Sequence, residues 1–127
     1  MSPRESPATT NELARIGLLK ALPGETLGRL ARVMLREDVA AGASVVREGE
    51  PGDRFYVVLS GMLAVSQSSR GQRGILRPGD TFGEVALAMD VPRTATVHAV
   101  TPSVVASCDR AAFDEFLRPL FADDEPA

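Results

Sequence analysis

Apolar positions along this chain change their spacing twice, and each spacing predicts a different element. Between Asn11 and Met34 they recur three or four residues apart, at Leu13, Ile16, Leu18 and Leu19 and then at Leu27, Leu30, Ala31 and Met34. That spacing predicts two short helices, with Asn11 as the N-cap of the first and Pro23-Gly24 as the break between them. Each carries one apolar stripe, so both are expected to pack against another part of the chain. From Leu35 to Asp109 the pattern becomes short β-rich runs broken by Gly, Pro and Asp: Ser44–Arg47, Arg54–Leu59, Met62–Ser66, Gly74–Leu76, Thr94–Ala99 and Ser103–Ser107. Many short strands with turn signals between them predict a sandwich or barrel. The helices that a doubly wound parallel sheet needs between its strands are missing. Ala111–Leu117 predicts a last helix, which Pro119 is expected to end or kink. The expected fold is mainly β, a jelly-roll-like barrel flanked by an N-terminal helix pair and a C-terminal helix. Residues 1–10 read as a disordered polar leader, 11–118 as the domain and 119–127 as an acidic tail ending near Asp123-Asp124-Glu125.

Inside the β region the alternation stops once. Gly79–Met89 reads as a loop entering one short helix, and such an interruption marks where function is expected to sit. Gly83 lets the backbone approach a ligand closely and opens the helix, whose first amides have no intrahelical partner and favour an anion. Arg93 follows directly, held by the rigid Pro92, and its guanidinium can fork onto two phosphate oxygens. Glu84 at the same helix start would repel a bare phosphate. The pair is coherent when the ligand carries both a phosphate and a hydroxyl donor: Arg93 takes the first and Glu84 accepts from the second. A nucleotide with a free 2′-hydroxyl meets that requirement.

Composition removes several other classes. At 127 residues the chain has room for one domain whose core needs neither disulfide nor metal. A net charge of −3 without any run of Lys and Arg argues against a nucleic-acid partner, and no helix-turn-helix follows the strands. No apolar run reaches the length of a membrane span. Cys108 is the sole cysteine, so no intramolecular disulfide can form and a cytoplasmic location is expected. Lys20 is the only lysine among many arginines, which suggests a GC-rich, bacterial coding sequence. His98, the single histidine, reads as a strand side chain, since a metal-dependent β-roll needs several His and carboxylates around one ion. No catalytic residue, metal or cofactor is expected, and the chain reads as a binding domain rather than an enzyme. Cys108 reads as a small buried apolar residue, and Gly42, Gly49, Gly52, Gly61 and Gly79 as turn residues.

Phe82-Gly83-Glu84-Val85-Ala86-Leu87, followed by Pro92-Arg93-Thr94-Ala95-Thr96-Val97, resembles the phosphate-binding cassette of the cyclic nucleotide-binding domain family. That family includes regulatory subunits of cyclic-nucleotide-dependent kinases, gated channels and bacterial catabolite activators. Gly42, Val46–Asp53, Phe55–Val58 and Gly61 resemble its glycine-punctuated strands, and Asp109-Arg110 with Phe113 the start of its B helix. The resemblance implies a sensor of cAMP, favoured over cGMP, with Arg93 on the cyclic phosphate and Glu84 on the ribose 2′-hydroxyl. It also implies that the amides of Gly83, Glu84, Val85, Ala86 and Thr94 cap the remaining oxygens, and that Leu76 and Val85 wall the base. A hydroxyl at Thr94 can meet a guanine amino group, which keeps cGMP open. Relatives extend the last helix into a lid over the base, whereas here Pro119 follows soon after Leu117. The implied partners are the nucleotide and either an effector domain or a second copy of the chain that supplies the lid. The alternatives are a ligand-free β-roll interaction module and a regulatory fragment of a larger channel, transporter or enzyme.

Overall fold

The computed structural model describes residues 7–89 and 91–122. Its strands are β1 Leu35–Val39, β2 Ser44–Val46, β3 Arg54–Ser60, β4 Leu63–Gln67, β5 Gly71–Leu76, β6 Thr81–Phe82, β7 Thr96–Ala99 and β8 Ser103–Asp109. They form two four-stranded antiparallel sheets, ordered β1-β8-β3-β6 and β2-β7-β4-β5. Alternate residues of β3 explain the layering, because successive side chains of a strand point to opposite faces. Tyr56 and Val58 face a core shared with Val39, Phe82 and Val105 of their own sheet and with Val46, Leu63, Val97 and Ala99 of the other. Phe55 and Val57 face the opposite way, into a second core with Ala106, Cys108 and the helices. A strand covered on both faces has no polar face to alternate with, which accounts for the unbroken run Phe55–Leu59. The mainly β, jelly-roll-like expectation therefore holds.

The helices cover the outer face of the first sheet. They are α1 Thr10–Leu13, a 3₁₀ turn Gly17–Ala21 and α2 Gly24–Val33 at one end of the chain. At the other, α4 Arg110–Ala112, a π-helical turn Phe113–Leu117 and α5 Arg118–Ala122 run on from β8, and α3 Glu84–Met89 is the insert. Leu13, Ile16, Leu19, Leu30, Phe113 and Leu117 meet Phe55 and Val57 in this layer, and the Phe55 and Phe113 rings lie 5.6 Å apart.

Several boundaries differ from expectation for local reasons. Thr9, not Asn11, caps the first helix: its hydroxyl accepts from the Glu12 amide at 3.1 Å, and its own amide donates to Glu12 Oε1 at 2.9 Å. That reciprocal pair is a capping box. The helix does not run through to Leu19 but stops after Leu13 and resumes as the 3₁₀ turn. The end of the presumed leader is tied into the fold, with Pro7 bridging to Leu35 and the buried Ala8 donating to Met34 O at 2.9 Å. Residues 1–6 and 123–127 lie outside the described residues. Pro119 does not end the last helix, which continues to Ala122. The π-helical turn just before it widens the backbone where the proline ring would meet the carbonyl four residues back. β1 and β6 carry too little apolar pattern to be read as strands, β1 being a charged edge strand and β6 only two residues long.

Phe113 fills the helix–sheet core with no exposure, so Phe113→Ala is expected to lower unfolding free energy by ~3–5 kcal/mol in urea titration. Cys108 is also fully buried, and burial pushes its thiol from 9.0 up to about 12. The unfolded thiol ionises first, so stability is intact below 9.0 and falls as pH rises toward about 12. The expected slope is ~1.4 kcal/mol per pH unit. In Cys108→Ala that slope is expected to vanish, leaving only what Tyr56, itself raised from 10.0 by burial, contributes at higher pH.

Candidate functional site

The chain reaches the insert along β6, which pairs with β3 through Tyr56 and Phe82. Their rings stack with centroids 4.8 Å apart and planes 3° from parallel. Gly83 then turns the backbone into α3 at φ 96°, a left-handed conformation that favours glycine. After the insert Arg93 is gripped through its backbone, donating to Glu50 O and accepting from Gly49 N, both at 2.8 Å. Its guanidinium is thereby directed back under α3. It donates to Gly83 O at 3.2 Å and to Arg54 O at 2.9 Å, and lies 5.8 Å from the centre of the Tyr56 ring. Arg54 is fixed in turn by a 2.9 Å bond from its Nε to Ser107 Oγ.

This arginine is only 7% exposed, and among the described residues no carboxylate stands within ion-pair distance of it. Burial holds its pKa below the ordinary value, and the charges of Tyr56, Asp53 and Glu84 oppose that shift only in part. Two carbonyl dipoles compensate the positive charge only in part, an arrangement that is costly in a buried site without a counter-charge. Glu84 shows the complementary deficit, since its Oε1 is buried without a hydrogen-bond partner among the described residues.

Both residues line one cavity of about 170 Å³. Gly83, Glu84, Val85, Ala86, Arg93 and Thr94, the residues expected at the site, all line it, together with Val46, Val65, Thr81, Phe82, Ala95 and Val97. Leu76 does not: it lies on β5 opposite Leu63 and packs against the inter-sheet core. Val65, one strand over, packs against the same core and lines the cavity. Reading strand pairs across β4 and β7 would have found Val65 and Val97, which face each other in register.

Gly52 is the residue the sequence reading misplaced. Gly42, Gly49, Gly61 and Gly79 adopt positive φ as turn glycines, but Gly52 does not. A Cβ there would stand 2.7 Å from Arg93 Cζ and 2.6 Å from Ala86 Cβ. Gly52 is needed for the close approach of backbone to guanidinium. The far end of the insert is also tied down. Leu87 O accepts from Arg110 at 3.2 Å and from Arg118 at 3.3 Å, and Arg110 reaches Gly52 O at 3.4 Å. The C-terminal helix thus touches both the insert and the glycine beneath Arg93.

The profile of the cyclic nucleotide-binding domain family matches residues 36–119, which include every one of these groups. The chain belongs to that family. This cyclic nucleotide-binding domain is 37% identical over 107 residues to a cAMP-dependent protein kinase regulatory subunit of Debaryomyces hansenii, covering 84% of this chain and 24% of that protein. It is 34% identical over 116 residues to a cGMP-dependent protein kinase of Caenorhabditis briggsae, covering 87% of this chain and 16% of that one. Among solved structures it resembles the regulatory domain of Toxoplasma gondii PKA crystallised with cAMP. There the TM-score is 0.84 at 29% identity, over 87% of this chain and 44% of that one. The domain spans about a quarter or less of these curated relatives. They are a yeast and a nematode protein, so they give the expected bacterial source no support.

Gly52→Ala forces a methyl group into the guanidinium of Arg93. It is expected to cost ~1–3 kcal/mol of stability in urea unfolding. Gly42→Ala, with nothing within 4 Å of its added Cβ, gives the strain of positive φ alone for comparison.

Proposed function

We propose that this cyclic nucleotide-binding domain is a reversible sensor of a cyclic purine nucleotide, cAMP in preference to cGMP. The observation that carries the reading is the buried Arg93 guanidinium, which has no carboxylate partner among the described residues. A phosphodiester anion supplies the missing charge, and the amides of Gly83, Glu84, Val85, Ala86 and Thr94 cap its remaining oxygens. Glu84 Oε1 accepts from the ribose 2′-hydroxyl, which gives that buried oxygen its partner. Val85 with Val65 and Val97 offers apolar contact to the base. The choice of cAMP is supported by the names of the Debaryomyces and Toxoplasma relatives, while the nematode kinase carries cGMP in its name. The domain does its work by changing the contacts it offers to an effector domain or a second copy, and the cytoplasm is the compartment proposed for it.

The signal has a physical route. Ligand on Arg93 and α3 orders the insert, and Leu87 O is held by two guanidiniums of the C-terminal helix. Slower hydrogen exchange in residues 109–120 on saturation is the expected outcome. Unchanged exchange there would remove this output from the account.

Calorimetry with cAMP and cGMP tests binding itself. Arg93→Ala is expected to weaken cAMP by ~2–5 kcal/mol, about one and a half to three and a half decades. The 2′-deoxy analogue is expected to bind the wild type about tenfold or more weakly than cAMP, the worth of a hydrogen bond to a charged group. Glu84→Ala is expected to bind the two analogues alike. A wild type that binds neither nucleotide at millimolar concentration would leave a β-roll interaction module.

A further inference from the structure

The segment that leaves Arg93 bends at Thr94-Ala95 before β7 begins, and four neighbours hold it. Gly49 and Glu50 grip the backbone of Arg93, and the Glu48 amide donates to Thr96 Oγ1 at 3.0 Å. Between them, the side chain of Gln67 at the end of β4 donates from Nε2 to the Thr94 carbonyl at 2.9 Å. The next residue, Ser68, donates from its amide to Glu48 Oε1 at 2.8 Å, so the β4–β5 turn and the loop after β2 close around this bend. The phosphate arginine has its own anchors and does not depend on Gln67. The bend does.

Thr94 lines the cavity beside Val46, Val65, Thr81, Ala95 and Val97. The family resemblance gives its hydroxyl the role of telling one purine edge from another. A hydroxyl accepts from the exocyclic amino group of guanine, which adenine lacks at the same ring position. Such discrimination needs the hydroxyl held in place, because a mobile one bonds water at no loss.

We infer that Gln67 is a positioning residue for base selectivity, acting through the Thr94 carbonyl rather than on the nucleotide. The inference rests on the nucleotide-sensing reading of this site. The donor is what matters: a carboxylate or a thioether of similar length cannot bond a carbonyl. Gln67→Glu and Gln67→Met are therefore expected to behave alike, although one adds a charge and the other does not.

The test is calorimetric affinity for cAMP and cGMP across wild type, Gln67→Met, Gln67→Glu, Thr94→Ala and the double variant Gln67→Met/Thr94→Ala. The cGMP-to-cAMP affinity ratio is expected to fall about three- to tenfold in either Gln67 variant, the worth of one hydrogen bond. In the Thr94→Ala background, changing Gln67 is expected to leave the ratio where it is. A ratio unmoved by both Gln67 variants would overturn the inference, as would a fall equally large without the Thr94 hydroxyl. Failure of the underlying reading looks different, since the wild type then binds neither nucleotide. Amide exchange of the free protein tests the strap without ligand. Faster exchange at residues 94–96 in Gln67→Met supports it, and unchanged exchange there overturns it.

Discussion

The structure turns on one electrostatic deficit, a guanidinium buried without a counter-charge. Moving a cation out of water costs several kcal/mol after relaxation, and carbonyl dipoles recover only part of that. Everything around Arg93 serves to keep it there. Its backbone is clamped by Gly49 and Glu50, its donors meet Gly83 O and Arg54 O, and Tyr56 supplies an aromatic face already stacked on Phe82. Two glycines leave the space, Gly83 through its positive φ and Gly52 through the absence of a side chain. A fold that holds a charge in this state is poised for an anion. In the proposed reading the Glu84 oxygen, unpartnered among the described residues, narrows the choice to an anion that also carries a donor.

That local arrangement depends on the sheets. β3 supplies Arg54 and Tyr56 to the site, and its other face carries Phe55 and Val57 into the helical layer. The insert is therefore mounted on a strand packed on both faces, where a displacement cannot be absorbed by solvent. The C-terminal helix reaches the same place from the far side through Arg110 and Arg118. The insert and the C-terminal helix meet at a few backbone carbonyls, so a change in the pose of α3 has little slack before it reaches the last helix.

Much of this was legible in the chain alone, and the gaps have physical causes. The break in alternation at Gly79–Met89 and the pairing of Arg93 with Glu84 located the cavity, because chemistry needs those residue types at that spacing. Strands with mixed or charged sequence, β1 and β6, escaped because their partners rather than their own composition make them strands. Gly52 looked like a turn residue because a need for space and a need for positive φ are written with the same letter. Leu76 and Val65 are apolar residues on neighbouring strands, both half-buried against the inter-sheet core, and nothing in their own letters says that Val65 is the one that lines the cavity. Gln67 gave no signal at all, since its bond is to a backbone carbonyl of a distant segment.

The central claim is that the uncompensated charge of Arg93 is satisfied by the nucleotide, which makes stability of the free domain conditional on ligand. Thermal unfolding of wild type and Arg93→Ala, each with and without saturating cAMP, tests it most directly. A ligand at a hundred times its dissociation constant adds ~2.7 kcal/mol, a rise in melting temperature on the order of ten degrees for a domain of this size. The account predicts that rise in the wild type and its loss in Arg93→Ala. A wild-type melting temperature that cAMP and cGMP leave unmoved, or an equal rise in the variant, would contradict it.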